Sequence, residues 1–366
     1  MATNQTVSES SRAKRTKRVS TNQNNPQNPL VNLPEDIVEN VFSFLPIKDA
    51  IEAGTVSTRF KRSWLLNRKF LFGRDFALRF RREELIELID RLFNSHKGPQ
   101  IHSFQLHIDP FGIGVWIDKW LRICIAKGIE DLEFYFLQPG YNLDADFIDS
   151  LKSLRTLKLV YCEIQLSPVL KSLKFLNTLV LWHLELTEVK LETLIFHCKL
   201  LEILDLCQCS KIRQVNIFAR NHKNFKMLKI ASCPDLGGIE IDAPTLGSVF
   251  YCGFIPRIRF GQGVSLNEAF FNFMPTRTYM PASEVEILVT DLHNVRVLTA
   301  SALFLEALAA RVRDGIFGEA KFRLWSLREL QLFMEGGIFC NPYDIVMFLK
   351  NCPCLEALFI DVSVTD

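Results

Sequence analysis

Two C-x-C pairs, Cys207/Cys209 and Cys352/Cys354, are where residue type and spacing first suggest chemistry in this 366-residue chain. Thiolates so spaced could hold zinc. A second regularity competes with that reading. Cys162, Cys209 and Cys233 each fall eight residues after the first apolar residue of a recurring L-x-x-L-x-L segment, and Cys198 and Cys352 each fall three before one. Five of the ten cysteines thus keep time with a repeat rather than with one another, so neither metal nor cofactor is expected. Catalytic patterns fare no better: the chain has no G-x-S-x-G, no H-E-x-x-H and no glycine-lysine phosphate loop. Gly112 and Gly114 in FGIGVWID lack the third glycine of a dinucleotide fingerprint and read as a turn. Among seven histidines, His183, His197 and His222 are expected at repeat surfaces, and Asp144/Asp146 as solvated loop charges. These residues give no support to an enzyme.

The segment that organises the cysteines recurs at Leu154/Leu157/Leu159, Leu176/Leu179/Leu181, Leu201/Leu204/Leu206, Phe225/Leu228/Ile230 and Leu246/Val249/Tyr251. It returns at Leu292/Val295/Val297, Leu327/Leu330/Leu332 and Leu355/Leu358/Ile360, with weaker copies at Ile101/Phe104/Leu106 and Ile129/Leu132/Phe134. Starts from 129 to 246 are 25, 22, 25, 24 and 21 residues apart; the step of 46 from 246 to 292 leaves room for one poorly matching copy. Longer steps to 327 and 355 imply inserted loops. Each unit reads as a short strand whose alternate residues enter a shared core, followed by a return segment. One unit cannot bury its apolar face, but a parallel stack can, and stacking curves it into a solenoid. The fifth and seventh residues of each segment then face the concave side. Tyr135, Trp182, Phe250, Phe333 and Phe359 put large aromatics there, and Lys158, Lys229 and Arg296 add positive charge. They are the candidate contacts for a captured protein, with Trp182 the leading anchor.

Ahead of the repeats the composition changes. Residues 1–30 are rich in Ser, Thr, Asn and Gln and read as a disordered tail, in which Arg12, Lys14, Arg15, Lys17 and Arg18 form either a nuclear signal or a solvated basic cluster. Residues 31–75 read as a helical module, 76–99 as a helical linker and 100–366 as the solenoid. In NLPEDIVENVFSFLPI, Pro34 suits a first helical position and Pro46 a stop. Ile37, Val38, Val41, Phe42 and Leu45 make one apolar stripe too short to bury itself. Lys48 to Gly54 reads as a second short helix closed by glycine, and Ser57 as the cap of a third carrying Phe60 and Trp64. Three short helices are too few for independent stability, so the module must lean on a neighbour or a partner. Net charge is only +2, with 48% hydrophobic and 23% charged residues, which points to neither nucleic acid nor a membrane surface. With no signal-peptide core and no apolar run of membrane-spanning length, the expected location is the nucleus, the cytoplasm or both.

LPEDIVENVFSFLPIKDAIEAGTVSTRFKRSW resembles an F-box, the short helical module that docks on the Skp-type adaptor of SCF ubiquitin ligases. The resemblance rests on Leu33, Pro34, Ile37, Val38, Phe42, Leu45, Pro46, Asp49, Ala50, Val56, Ser57, Arg59 and Trp64; Phe60 stands where members often carry Trp. It implies adaptor contacts at Leu33, Pro34, Ile37, Val38, Val41, Phe42, Leu45, Pro46, Ile47, Val56, Phe60 and Trp64. The repeats resemble leucine-rich repeats, and phrases such as FHCKLLEILDLCQC and KNCPCLEALFID are similar to plant F-box/leucine-rich-repeat proteins. That family implies an α/β fold in which an all-helical F-box precedes a solenoid with a parallel concave sheet. It also implies a non-catalytic receptor that brings an as yet unknown protein substrate to the adaptor and its cullin. The alternative is a repeat scaffold or ligand sensor acting without ligase assembly.

Overall fold

The structure, a computed structural model, describes residues 33–56, 60, 63–168, 170–274, 282–313, 322–334 and 341–362. Its described part begins with α1 (Glu35–Ser43), α2 (Ile47–Val56) and a 3-10 turn over Ser63–Leu66. Next are β1 (Lys69–Phe72), α3 (Arg74–Ala77), α4 (Arg82–Ser95), β2 (Ser103–Ile108), α5 (Gly114–Ala126), β3 (Asp131–Phe136), β4 (Asn142–Leu143), α6 (Ala145–Ser150), β5 (Thr156–Val160) and β6 (Glu163–Ile164). The middle of the chain holds β7 (Thr178–Trp182), α7 (Glu188–His197), β8 (Ile203–Cys207), β9 (Gln214–Phe218), β10 (Met227–Ala231), β11 (Gly238–Asp242), β12 (Ser248–Gly253) and β13 (Arg257–Phe260). Last come β14 (Glu268–Phe273), α8 (Ala282–Asp291), β15 (Val297–Ser301), α9 (Ala302–Arg313), β16 (Glu329–Met334), α10 (Pro342–Leu349) and β17 (Ala357–Val362).

One twelve-stranded parallel sheet runs β1-β2-β3-β5-β7-β8-β10-β12-β14-β15-β16-β17. Period-two alternation builds it: in β5, Leu157 and Leu159 are buried while Thr156 and Lys158 are half-exposed. Equivalent residues stack in register, Leu157 to Leu179 to Leu204 to Leu228 to Val249, so each repeat closes its neighbour's core. The poorly matching copy between 246 and 292 is β14, whose inward residues are Ala269 and Phe271 after Leu266. Its small Ala269 in a leucine slot is what hid it.

The next repeat needs a correction. Leu298 pairs with Ala269 and Leu330, so the inward set is Val295/Leu298/Ala300, three residues later than Leu292/Val295/Val297. Leu292 instead belongs to the buried turn closing α8. Both readings fit apolar spacing; only the strand neighbours choose between them.

Repeat length depends on the return element. Repeats that come back through α5, α6, α7, α8, α9 or α10 are 25 to 32 residues long, whereas those using β9, β11, β13 or the extended run after β6 are 20 to 24. A helix advances about 1.5 Å per residue and a strand about 3.3 Å, so a helix needs more residues to cover the same return. Thr187 and Asn341 start α7 and α10 by accepting the Lys190 and Tyr343 N–H groups.

At the N-terminal end, the segment read as wholly helical ends in a strand: β1 pairs with β2, Phe70 and Phe72 entering the common core. Asn67 ties the helices to this strand. Buried, it donates to the Phe42 and Leu45 carbonyls at 3.2 and 2.6 Å and accepts the Lys69 N–H at 2.6 Å. Two local expectations also shift. Pro34 sits one residue before α1, its carbonyl taking the Val38 N–H, and α2 runs through Gly54 to Val56. Ser57 lies outside the described residues, and Trp64 belongs to the short 3-10 turn rather than to a third α-helix.

Candidate functional site

α1 carries two apolar stripes, not one. Val38, Phe42 and Leu45 turn inward on Ala50, Phe60 and Trp64, with the Phe42 and Phe60 rings 4.9 Å apart. Ile37, Val41 and Phe44, at the same i, i+4, i+7 spacing one residue earlier, remain 44%, 49% and 50% exposed. Val38, Phe42 and Ile47, expected as adaptor contacts, are buried within the chain: the first two make the module's own core, and Ile47 joins the core of the solenoid. A single-stripe reading cannot separate the sides, because the partners that claim one side, Phe60 and Trp64, arrive about twenty residues later. Leu33, Leu45, Pro46, Phe60 and Trp64 are half-buried and Pro34 is exposed; the Val56 side chain lies outside the described residues. Phe44, missed from the sequence, shows a face to the Arg68 guanidinium at 5.2 Å and completes the exposed triple. Two such residues on a nine-residue helix and a third at its C-cap make the module's outward surface.

The second surface is the concave face of the sheet. At its N-terminal end Glu133 gathers three donors: Lys158 at 2.9 Å, Tyr135 at 3.2 Å and Gln105 at 3.3 Å. Burial and the Glu133 charge push the Tyr135 phenol up to about 12, so it stays protonated and donating. Lys158 is thus neutralised. Trp182 is half-buried, its indole N–H held by Asp205 at 2.9 Å. Lys229 and Phe250 stand on the next strands, also half-buried. Phe250 stacks on Phe270 with centroids 4.1 Å apart, and Phe270 on Phe333 at 5.5 Å, both pairs within 10° of parallel. Phe270 lies in the hidden repeat and was not foreseen. Phe359 is exposed on the edge strand β17. Arg296 is not on this face: it precedes β15 at the rim, where its carbonyl accepts from Arg328 and Glu329. The three-residue slip in that repeat misplaced it.

Where four strands end, Tyr161, His183, Gln208 and Ser232 adopt φ between 50° and 59°, a left-handed conformation that costs non-glycine residues about 1–2 kcal/mol each. Each offsets the strain by donating its N–H to the next repeat, to the carbonyls of Trp182, Cys207, Ala231 and Cys252 at 2.6 to 3.1 Å. The reversal drops the following residue into the core, which is why Cys162, Cys209 and Cys233 are buried there. Cys209 lies under Leu181, whose carbonyl its thiol approaches at 3.1 Å, while Cys207 is half-buried on the concave side. Burial pushes the Cys198 and Cys352 thiols up to about 12, so both stay protonated in the core. His183 stacks on Tyr161 at 4.2 Å, and His197 meets the Thr193 carbonyl. His222, expected at a surface, is buried against the Ile195 carbonyl, and burial lowers its pKa. The basic cluster Arg12, Lys14, Arg15, Lys17 and Arg18 lies outside the described residues.

Comparison with known proteins covers both surfaces. Residues 30–72 match the family model of the F-box domain, whose match ends on the last residue of β1. Residues 92–366 match the leucine-rich-repeat domain model of the At1g61320/AtMIF1 type. The chain is similar to the putative FBD-associated F-box protein At1g61330 of Arabidopsis thaliana, 31% identical over 335 residues, 90% of this chain and 75% of the relative. It is also 31% identical over 343 residues to the FBD-associated F-box protein At1g61320 of the same plant, covering 92% of this chain and 74% of the relative. The F-box/FBD/LRR-repeat protein At1g13570 is 28% identical over 179 residues, 48% of this chain and 42% of the relative.

Proposed function

Because the chain belongs to the plant F-box/leucine-rich-repeat proteins, we propose that it is the substrate-recognition subunit of an SCF-type ubiquitin ligase. The helical module docks a Skp-type adaptor and, through it, a cullin; the concave face of the repeats captures the protein to be ubiquitinated. The chain itself does no chemistry in this reading. Its work is to hold two partners at a set separation, and the single continuous core from Ile47 to Cys352 supplies the stiffness for that.

The observation that carries the adaptor half is the outward triple Ile37, Val41 and Phe44 on a module that already buries Val38, Phe42 and Ala50 against its own residues. Apolar side chains spared by the internal core are the kind that anchor an interface, each costing 2 kcal/mol or more when lost, roughly, at a hot spot. Replacing Ile37 and Val41 together by Asp tests it. The double variant is expected to lose the Skp-type adaptor and the cullin in co-purification while its melting temperature stays within about 2 °C of the parent, since surface substitutions usually change stability little. Adaptor binding retained by the double variant overturns the docking assignment. An adaptor complex that forms without a cullin favours the scaffold reading instead.

A further inference from the structure

What the concave face can capture depends on which of its charges are already spent. Glu133 and Lys158 satisfy each other at the N-terminal end. In the middle, Asp205 and Lys229 lie directly opposite on β8 and β10 and could pair. They do not pair: Asp205 accepts the Trp182 indole N–H, and Lys229 has no ion-pair partner among the described residues. Apart from Asp205, the residues beside Lys229 on this face are apolar or small. Ile203 and Met227 precede Asp205 and Lys229 on the same face, and Phe250 stands on the adjoining strand. Beyond them Cys207, Ala231 and Cys252 form a cross-strand row of small side chains bounded by Trp182 and Asn272. A half-buried cation beside a shallow apolar depression lacks one thing, an anion.

We propose that this basin binds an extended segment of the captured protein carrying an aspartate or glutamate next to a large apolar residue. The carboxylate meets Lys229, and the apolar side chain lies over Cys207, Ala231 and Cys252 against Trp182. The proposal rests on the reading of the concave face as the capture surface. A carboxylate suits a single amine, whereas a phosphoryl group draws several donors and forked guanidinium contacts, and Lys229 is flanked by Asp205 and Phe250 instead. Glu268 and Glu329, in β14 and β16 on the same face, set the polarity: the acidic residue belongs over β10, not towards β16.

A random heptapeptide display library selected on the full chain tests this. The parent is expected to enrich Asp or Glu beside Trp, Phe or Leu. Lys229→Glu should invert the charge preference towards Lys and Arg and weaken a parent-selected acidic peptide at least tenfold, and Lys229→Met should abolish the preference without inverting it. Trp182→Ala should lose the apolar preference; if that variant does not fold, the two Lys229 variants carry the test alone. No enrichment by the parent, an acidic preference unchanged in Lys229→Glu, or tighter binding when phosphoserine replaces the acidic residue would overturn the proposal. Adaptor binding measured on the same preparations reports separately on the ligase reading, which can fail while the peptide preference stands.

Discussion

Phe70 and Phe72 of β1 are fully buried, while Leu358 and Ile360 of β17, in the same two inward slots at the opposite edge of the sheet, are 39% and 45% exposed. The residue types are equally apolar, so the difference comes from what stands outside each edge. Beside β1 the chain supplies the start of α2 with Ile47, and α4 with Ile89 and Phe93, whose ring stacks on Phe70 at 4.7 Å. Beside β17 no strand pairs among the described residues. An inward slot of a solenoid is therefore buried only when both neighbours are present, and at the first edge a module outside the repeat pattern serves as neighbour. The same contact makes a small helical module part of a large core, which three short helices could not supply alone.

Core truncation separates the two edges most sharply. Phe72→Ala should cost about 3–5 kcal/mol, because the cavity lies in a closed core, and Ile360→Ala no more than about 1 kcal/mol at a half-exposed site. Denaturant unfolding midpoints check this, and equal losses would break the comparison. A smaller effect is expected at the joint itself. Asn67→Ala removes the side chain that serves the Leu45 carbonyl and the Lys69 N–H, at about 1–3 kcal/mol, while the Phe42 carbonyl keeps the Leu45 N–H at 3.2 Å. Amide exchange should quicken in α1 and α2 and stay unchanged in β7 to β10; uniform quickening would show that the joint has no local role.

The mildest effect concerns pH. His96, at the end of α4, is pressed by burial and by the Lys127 charge down to about 4, its Nδ1 accepting from the Lys127 amine at 2.7 Å. A histidine so lowered binds its proton more readily in the unfolded chain. The stability tied to its neutral ring is thus complete above the unfolded value of about 6.5 and is lost as pH falls towards 4. Melting temperature should drop between pH 7 and pH 5, and His96→Asn should flatten part of that slope. An identical slope in the variant would assign the pH dependence to other groups.

Much of this was legible in residue order. The L-x-x-L-x-L spacing located most strands of the sheet, and the cysteine offsets marked the slot beneath each strand exit, because both patterns repeat along the chain and record which side of a pleat faces the core. Trp182 and Phe250 fell on the concave face for the same reason. The failures share a cause as well. Ala269 broke the leucine signal of β14, and Leu292 imitated one at the end of α8, so Phe270 was missed and Arg296 misplaced; strand pairing decides both.

The order of residues by itself determined a helical F-box module ahead of parallel repeats, the inward rows and the small residues just past several strands, since each of these is a pattern written in one dimension. Tertiary structure alone decided which stripe of α1 stays outside, that β1 joins the sheet, and that Asp205 meets the Trp182 indole rather than forming an ion pair with Lys229. Those outcomes depend on neighbours from about twenty to thirty residues away, where competing partners meet only after the chain has folded.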